Sequence, residues 1–251
     1  AGIALSAMSA AAFNHVVDEK IDIQMSRTSR RPLPQGKVSR NQALVWGLFL
    51  GFLGIGFLLV YVNLLTAVLT FFSLIGYAVF YTMYLKRATP QNIVIGGAAG
   101  AAPPVLGWTS VAGIQGIEFA LLLFLIVFIW TPPHFWALAI HRHEEYKKAG
   151  VPMLPVTHGL QFTRVQILLY TVLLFIVTLL PYLTGMSGAI YLVSAVVLGV
   201  LFLGYAVKIY REPENPKIAF KTFKYSVNYL MVLFVSLLVD HYLLITFGTI
   251  S

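Results

Sequence analysis

The sequence contains no cysteine and very few charged residues. Without cysteine the chain has neither a disulfide framework nor a thiolate metal site. Charged residues make up 10% of the 251 residues, whereas soluble domains carry about 25%. The chain has nine aspartates and glutamates and seventeen lysines and arginines, so its net charge is +8. In a soluble protein this positive charge would suggest binding to nucleic acid. Here it favours membrane topology and anionic partners such as phosphate or lipid headgroups, and we expect no nucleic acid.

Hydrophobic residues make up 59% of the chain, and they occur in long uninterrupted runs. A membrane-spanning helix needs roughly 20 apolar residues, and the runs predict eight spans in an all-α membrane protein with one domain, 1–251. The chain begins inside an apolar helix, so we expect an N-terminal piece to be missing. The predicted spans cover roughly 1–17, 43–62, 65–85, 92–111, 117–140, 163–184, 188–209 and 226–247.

All lysines and arginines fall in alternate loops, which predicts an orientation. They occupy the segments 18–42, 86–87, 142–164 and 208–224, and none lies in the turns near 62–65, 111–116 and 184–188. Basic loops face the cytoplasm, or the matrix of a mitochondrion. The alternation therefore supports the span count as well as the direction.

The segment NHVVDEKID, residues 14–22, carries the strongest chemical signal. Asn14, Asp18 and Asp22 are spaced by four, so on a helix they lie along one face. Acidic side chains at the end of a span are costly and usually functional. Magnesium prefers hard oxygen ligands and shares them with substrate phosphates, so the row suits a Mg²⁺–diphosphate. The alternative is a solvated helix end with polar neighbours.

Basic residues follow on the same predicted membrane face. Arg27, Arg30 and Arg31 come directly after the acidic row, and Lys86 and Arg87 end the third span. Arginine forks match phosphate oxygens, but the positive-inside bias and snorkelling anchors also account for these cations. The segment GGAAGAAPPVLGW, residues 96–108, is interpreted either as close helix packing through small residues or as a kinked helix lining a cavity.

The segment from Trp130 to Val156 combines ionisable and aromatic residues. His134 lies within a span, where an ionisable group is either functional or a hydrogen-bonded core histidine. His141 and Glu145 are i,i+4 and could complete a second metal–diphosphate contact, or belong to an ordinary solvated loop. The aromatic members are interfacial anchors or the wall of an apolar pocket for a flat ring or a carbocation; they are Trp130, Phe135, Trp136 and Tyr146.

Three segments together resemble the UbiA-type intramembrane prenyltransferases, and within them the branch that farnesylates protohaem IX. They are NHVVDEKID with RTSRRPLPQGKVS, YTMYLKRATPQNIVIGGAAGAAPPVLGW, and WTPPHFWALAIHRHEEYKKAGVPMLPV. The first motif is shared across the superfamily, whereas the third is specific to the haem-modifying branch. The resemblance covers residues 1 to about 160 closely. It implies a bundle of nine helices, of which the first would be missing here.

The resemblance also implies a reaction and its participants. Farnesyl diphosphate and protohaem IX would be the substrates, with Mg²⁺ held by Asn14, Asp18 and Asp22, and with haem O and diphosphate as products. Possible partners are haem A synthase or a terminal oxidase assembly, besides membrane lipid. The expected location is the bacterial plasma membrane, or alternatively the mitochondrial inner membrane, with the site facing cytoplasm or matrix.

The resemblance assigns roles along the chain. We expect Lys86, Arg87 and His134 to act in catalysis beside the acidic row, while Lys208 to Lys224 mostly fix orientation. The expected substrate-binding set is Arg27, Arg30, Arg31, Asn92, Trp130, Trp136, His141, Glu145 and Tyr146. Three alternatives stay open: a prenyltransferase for an aromatic quinone precursor, a small-molecule transporter, and an assembly scaffold for an oxidase.

Overall fold

The computed structural model of the protein describes residues 1–26 and 28–247, and it describes their side chains except those of Arg87, Pro216 and residues 244–247. All regular elements in these ranges are helical. They are α1 Gly2–Gln24, α2 Arg40–Tyr61, α3 Leu64–Ile75, a π-helix Gly76–Leu85, α4 Lys86–Ala88, α5 Asn92–Ala101, α6 Pro103–Ala112, α7 Ile117–His141, α8 His143–Lys148, α9 Leu154–Thr157, α10 Gly159–Val177, α11 Leu180–Leu183, α12 Ala189–Arg211 and α13 Pro216–Phe247.

The predicted all-helical fold is confirmed, and helices cover each of the eight predicted spans. Within the described ranges six helical stretches are long and apolar enough to cross a membrane: 40–61, 64–85, 117–141, 159–183, 189–211 and 217–243. Two predicted spans differ from these. The C-terminal part of α1 carries the acidic row, and the span 92–111 divides into α5 and α6 where Pro103 begins the second helix. Proline has no N–H to continue the backbone ladder. The count of eight spans therefore stays a prediction.

Helix α7 is the centre of the bundle. It packs against α5, α6, α10 and α13, and α12 packs between α10 and α13. On the other side, α1 packs along α2 and also contacts α3 and the π-helix. Buried residues along α7 include both prolines of the PPHFW segment. This arrangement brings the C-terminal end of α1, the π-helix and the C-terminal half of α7 around one space.

Small residues bring α1 and α2 into close contact. The hydroxyl of Ser9 donates a hydrogen bond of 2.7 Å to the carbonyl oxygen of Gly47. A Cβ atom at Gly54 would lie 2.6 Å from Oγ of Ser6 and 2.8 Å from the backbone oxygen of Gly2, so glycine is required there. Close backbone approach through small residues is the usual way membrane helices pack. The contact holds α1, and with it the acidic row, in a fixed position.

A carboxylate caps one helix at the opposite end of the bundle from the acidic row. Asp240 of α13 is buried and accepts hydrogen bonds from the backbone N–H groups of Gly188, Ile190 and Tyr191. The first N–H groups of a helix have no partner within the helix, and Asp240 provides one for α12. The carboxylate therefore has a structural role in joining α13 to α12.

Candidate active site

The acidic row of α1 faces a cavity inside the bundle. Asn14, Asp18 and Asp22 are all buried, and all three line this cavity of about 230 Å³, which we call the charged cavity. The spacing by four thus places them along one face, as the sequence predicts. The other described residues of its wall are Ile21, Met25, Arg31, Tyr77, Tyr81, Lys86, Ile93, Phe135, Tyr146, Val151 and Met153.

Asp18 is the most constrained member of the row. Its Oδ2 accepts a hydrogen bond of 2.5 Å from Nζ of Lys86 and one of 3.0 Å from Nδ2 of Asn14. Its Oδ1 is buried and has no hydrogen-bond partner. A buried polar atom without a partner is unfavourable unless a further ligand binds it. A bound cation would supply the partner that this oxygen lacks.

A second ion pair lies one turn further along α1. Nη1 of Arg31 donates a hydrogen bond of 2.6 Å to Oδ2 of Asp22. Arg31 belongs to the loop that follows α1, and the hydroxyl of Thr28 holds this loop by donating to the backbone oxygen of Asp22. Two carboxylates and two cations therefore line the charged cavity side by side, and their formal charges balance.

This donor set fits a magnesium ion. Hard oxygen ligands from an asparagine and two aspartates are available, and magnesium typically uses one or two carboxylates with further ligands from water and substrate phosphates. Within residues 1–26 and 28–247, no group of three or more acidic, histidine or cysteine side chains could hold a metal by itself. Since the cavity's charges already balance, a diphosphate alone would leave excess negative charge there. A divalent cation arriving with the diphosphate would offset it.

A π-helix supplies one wall of the charged cavity. Residues 76–85 take the wider π-helical turn, which is rare and often occurs at functional sites. Tyr77 and Tyr81 line the cavity with ring centroids 5.4 Å apart. A Cβ atom at Gly96 of α5 would lie 2.1 Å from the ring of Tyr81, so this glycine is what allows the ring to fit. The π-helix ends at Leu85, and Lys86 follows it directly with its ammonium group beside Asp18.

A second, apolar cavity adjoins the first through Tyr77. It has a volume of about 290 Å³, and Tyr77 lines both cavities. Its wall carries small or apolar side chains from α1, α3, α5 and α6, among them Ala7, Ala10, Leu74, Gly100 and Leu106. The break between α5 and α6 forms part of this wall, because Ala102 and Pro103 also line it. The predicted kinked helix lining a cavity is therefore confirmed, and we call this space the apolar cavity.

Close packing through small residues occurs in the same segment. A Cβ atom at Gly97 would lie 3.0 Å from Cγ2 of Thr131 on α7, so α5 approaches α7 closely at this glycine. Both interpretations of residues 96–108 therefore have support, at neighbouring positions. One side of α5 packs on α7 while the other borders the apolar cavity.

Two loops are joined next to the charged cavity. Oε2 of Glu145 accepts hydrogen bonds from the backbone N–H and the hydroxyl of Ser26, and Arg142 donates to both Glu145 and Ser26. Partial burial raises the pKa of Glu145, but the hydrogen bonds from Ser26 and the charge of Arg142 outweigh it, so the net pKa is lowered. Glu145 therefore connects the loop after α1 to the segment after α7 through Ser26 and Arg142.

The other predicted site residues are distributed around the bundle. Tyr146 is buried in the wall of the charged cavity, and Asn92 is buried with Nδ2 donating a hydrogen bond of 3.3 Å to the backbone oxygen of Lys86. Trp136 is buried in the core with its ring edge against Tyr170. Arg30 is exposed in the loop. Arg27 lies outside the described residues, and the side chain of Arg87 lies outside the described side chains.

His134, Trp130 and His141 contact α13 rather than the acidic row. Nδ1 of His134 lies 2.7 Å from the hydroxyl of Ser226, and the ring of Trp130 stacks on His134 at 4.1 Å. His141 stacks on Phe220 at 4.7 Å. Among the described residues, none of these three lines the charged cavity. The structure thus brings Asn14, Asp18, Asp22, Arg31, Lys86 and Tyr146 together, and it groups the histidines elsewhere.

Sequence reasoning missed several residues of the two cavities. Tyr77, Tyr81 and the α1 and α3 residues of the apolar cavity, such as Ala7, Ala10 and Leu74, had no assigned role. The π-helix that turns the two tyrosines inward has no sequence signature of the kind that identifies a capping box or a metal motif. One available signal was the pair of tyrosines spaced by four just before Lys86, at the predicted basic end of the third span.

Comparison with known proteins gives the family. Residues 1–228 match the UbiA prenyltransferase family. The chain is 74% identical over 244 residues to the protoheme IX farnesyltransferase of Ruthia magnifica subsp. Calyptogena magnifica, covering 97% of this chain and 82% of that protein. It is 72% identical over 245 residues to the protoheme IX farnesyltransferase of Vesicomyosocius okutanii subsp. Calyptogena okutanii, with 98% and 82% covered.

Solved structures show the same fold at low sequence identity. A digeranylgeranylglyceryl phosphate synthase superposes with a TM-score of 0.78 at 22% identity, covering 94% of this chain and 81% of its own. A UbiA homolog from Archaeoglobus fulgidus, solved with GPP and Mg²⁺, superposes with a TM-score of 0.53 at 16% identity, with 94% and 87% covered. With the family match and the close relatives, these findings establish that the chain is an integral membrane protein that belongs to the UbiA prenyltransferase family.

Proposed function

We propose that this protein transfers the farnesyl group of farnesyl diphosphate to a vinyl group of protohaem IX. Water is added in the same reaction, and the products are haem O and diphosphate. The observation that carries the proposal is a pair of neighbouring cavities that share Tyr77 in their walls, one charged and suited to a diphosphate and one apolar and suited to a prenyl chain. The name shared by the close relatives supports the acceptor and the chain length of the donor.

The charged cavity binds the diphosphate in this proposal. Asn14, Asp18 and Asp22 would hold Mg²⁺, which when bound neutralises the leaving diphosphate. Lys86 and Arg31 already lie against these carboxylates, and their donors also suit phosphate oxygens. Positive groups fixed where negative charge develops lower the barrier to ionisation. The role of this chain's residues is therefore to stabilise charge on the leaving group.

The apolar cavity binds the farnesyl chain. Its described wall offers mainly carbon atoms, many of them from alanine, leucine and isoleucine side chains, while Ser6, Thr70, Ser73 and Tyr77 carry hydroxyl groups. Such a lining excludes water from the chain and favours its burial. Tyr77 would then lie beside the carbon that links chain and diphosphate. An aromatic face attracts a neighbouring cation, so this position suits an allylic carbocation.

The chemistry follows from the order of the groups. The bond between the first farnesyl carbon and the diphosphate oxygen breaks, and its electron pair leaves with the diphosphate. The π electrons of the vinyl group form the new carbon–carbon bond to the allylic cation. Positive charge then lies on the vinyl carbon next to the porphyrin ring, where water adds and loses a proton. The product carries a hydroxyethylfarnesyl side chain.

The proposal also includes location and partners. We place the protein in a bacterial plasma membrane with the charged cavity on the cytoplasmic side, since the basic loops lie at this end. Haem O made there would pass to haem A synthase or to a terminal oxidase. A small-molecule transporter is disfavoured, because transporters place their polar residues near the membrane midplane, whereas the acidic row lies at the end of α1.

One assay separates the proposed acceptor from its rival. The purified protein is incubated with Mg²⁺ and farnesyl diphosphate, together with either haem B or 4-hydroxybenzoate. We expect a farnesylated haem and no prenylated benzoate. Prenylation of 4-hydroxybenzoate alone would assign the protein to quinone precursors. Uptake of a solute without any prenyl transfer, unaffected by Asp18→Asn, would support the transporter instead.

A further inference from the structure

A continuous row of rings runs along the contact between α7 and α13. Phe135 lies edge-on to His134 at 4.9 Å, and His134 lies 4.6 Å from Phe223. Phe223 stacks with Phe220 at 6.1 Å with an interplanar angle of 14°, and Phe220 stacks with His141 at 4.7 Å. We call these five residues the aromatic row.

The spacing of residues along the two helices produces the row. Phe220, Phe223 and Lys224 are at i, i+3 and i+4 on α13, so they share one face. On α7, His134 and His141 are seven residues apart and share the face that packs on α13. Ser226 holds His134 and Trp130 in place. Its hydroxyl lies 2.7 Å from Nδ1 of His134, and its backbone oxygen accepts a hydrogen bond from Nε1 of Trp130.

The two ends of the row differ in chemistry. At one end Phe135 is 38% exposed and also lines the charged cavity. The other end is His141, and next to it the ammonium group of Lys224 lies 4.7 Å from the centre of the Phe220 ring. Side chains on a helix point back toward its N-terminus, and the N-terminal part of α13 also carries Lys217 and Lys221. The row therefore joins the charged cavity to a cationic surface.

We propose that the aromatic row is the docking surface of the acceptor porphyrin. Because Trp130, Phe223 and His141 already cover ring faces in the row, the flat macrocycle would lie against the ring edges, in the edge-to-face arrangement that aromatic groups favour. Its propionates would pair with Lys224. Protohaem carries vinyl groups at one edge and propionates at another. With the propionates at Lys224, a vinyl group is directed toward Phe135 and the charged cavity. The inference rests on the proposed function, because it is the protohaem acceptor that supplies both the plane and the two carboxylates.

Charge complementarity and geometry select this occupant over a lipid. A phospholipid headgroup would pair with Lys224 but has no planar group for the rings of Phe220, Phe223 and His141. A porphyrin dicarboxylate matches both features at once. Phe220, Phe223 and Lys224 do not line the charged cavity, so these three residues can be altered without changing the diphosphate site.

The first test compares haem B with its dimethyl ester, in which the propionates carry no charge. Binding is followed by the Soret absorbance shift and turnover by product analysis. In the wild type we expect the ester to bind about fivefold more weakly than haem B, as for one exposed charge pair. Lys224→Gln should weaken the binding of haem B by that factor and leave the binding of the ester unchanged. Lys208→Gln, which alters another exposed cation outside the row, should keep the wild-type ratio.

A second pair of variants tests the rings. Phe220→Leu should raise the KM for haem B about threefold, as expected for one lost edge-to-face aromatic contact, while the KM for farnesyl diphosphate stays unchanged. Phe162→Leu is the matched control, since Phe162 also lies beside a histidine, at 5.4 Å from His158, but on α10. It should change neither KM.

The outcomes separate the docking surface from the proposed function. A wild-type ratio of haem to ester binding in Lys224→Gln, with normal haem O formation, would overturn the docking surface and leave the function standing. Altered binding to vesicles containing phosphatidylglycerol in Lys224→Gln, with haem binding intact, would assign Lys224 to lipid and overturn it as well. Haem binding that depends on Lys224 and Phe220 without any farnesyl transfer would support the surface and remove the proposed reaction.

Discussion

Nζ of Lys86 lies 2.5 Å from Oδ2 of Asp18, while Oδ1 of the same buried carboxylate has no hydrogen-bond partner. One oxygen of Asp18 is therefore compensated by a cation of the protein, and the other lacks a partner that a bound cation would supply. Lys86 begins α4 directly after the π-helix and Asp18 belongs to α1, so two separate elements define the site. This half-satisfied carboxylate is the basis of the proposed metal and diphosphate site.

The first prediction concerns the charge of the acidic row. Asp18→Asn and Asp22→Asn keep the size of each side chain but remove a carboxylate, so we expect turnover to fall by about 10²–10³-fold. The measurement is the rate of haem O formation at saturating Mg²⁺. Glu19→Gln is the matched control, since Glu19 lies beside Asp18 on α1 but not among the described residues of the charged cavity. Unchanged turnover in both Asp variants would refute the metal assignment.

The second prediction concerns the depth of the apolar cavity. Gly100 lines it, and a Cβ atom added there would meet no other atom within 4 Å, so a larger side chain has room to enter the cavity. We expect Gly100→Leu to lower kcat/KM for farnesyl diphosphate and to favour the shorter geranyl diphosphate, by about tenfold in the ratio of the two values.

A matched glycine controls for the substitution itself. A Cβ atom at Gly107 of α6 would also meet open space, and Gly107 is exposed without lining the apolar cavity. Gly107→Leu should keep the wild-type preference for the longer donor. If Gly100→Leu keeps that preference too, the farnesyl chain lies elsewhere.

The third prediction concerns pH and the link between two loops. Because the pKa of Glu145 is lowered in the folded protein, its stabilising contribution is complete above its unfolded pKa and is lost as the pH falls through the folded value. Glu145→Gln should therefore lower the free energy of unfolding at pH 7 by at most about 1 kcal/mol. The difference from wild type should vanish in strong acid. A difference that grows on acidification would contradict the assigned ion pair.

The fourth prediction concerns Asp240, which we expect to matter for stability alone. Asp240→Ala removes the acceptor for the N–H groups at the start of α12 and should cost about 1–2 kcal/mol, measured by thermal unfolding in detergent. The KM values for both substrates should not change. Glu118→Ala, an exposed acid at the start of α7, should leave the unfolding temperature as in wild type. A change in KM with Asp240→Ala would show that its role is not confined to packing.

The sequence predicted the helices and the acidic row well, because both depend on local information. Apolar runs of about 20 residues have few alternatives to spanning helices, and a spacing of four fixes a shared face whatever the surroundings. The predicted grouping of Asp18 with Lys86 also follows from topology, since the basic ends of all spans meet at one membrane face. The resemblance to a family added the nature of the chemistry.

Other parts of the site depend on contacts that the sequence does not encode locally. His141 and Glu145 are one helical turn apart in sequence, yet α7 ends at His141 and the chain turns at Arg142 before α8. His141 therefore stacks on Phe220, while Glu145 binds Ser26. Likewise the inward position of Tyr77 and Tyr81 requires the π-helix, and Tyr81 requires the space that Gly96 leaves. Such pairings between distant segments follow from tertiary packing alone.

The most direct test of the account is the mass spectrum of haem extracted from bacterial cells that lack their own haem O and express this protein. We predict a haem heavier than haem B by one farnesyl group and one hydroxyl group, and its absence from cells that express Asp18→Asn at equal membrane levels. Cells that contain only haem B in both cases, or that accumulate a farnesylated quinone precursor instead, would contradict the account.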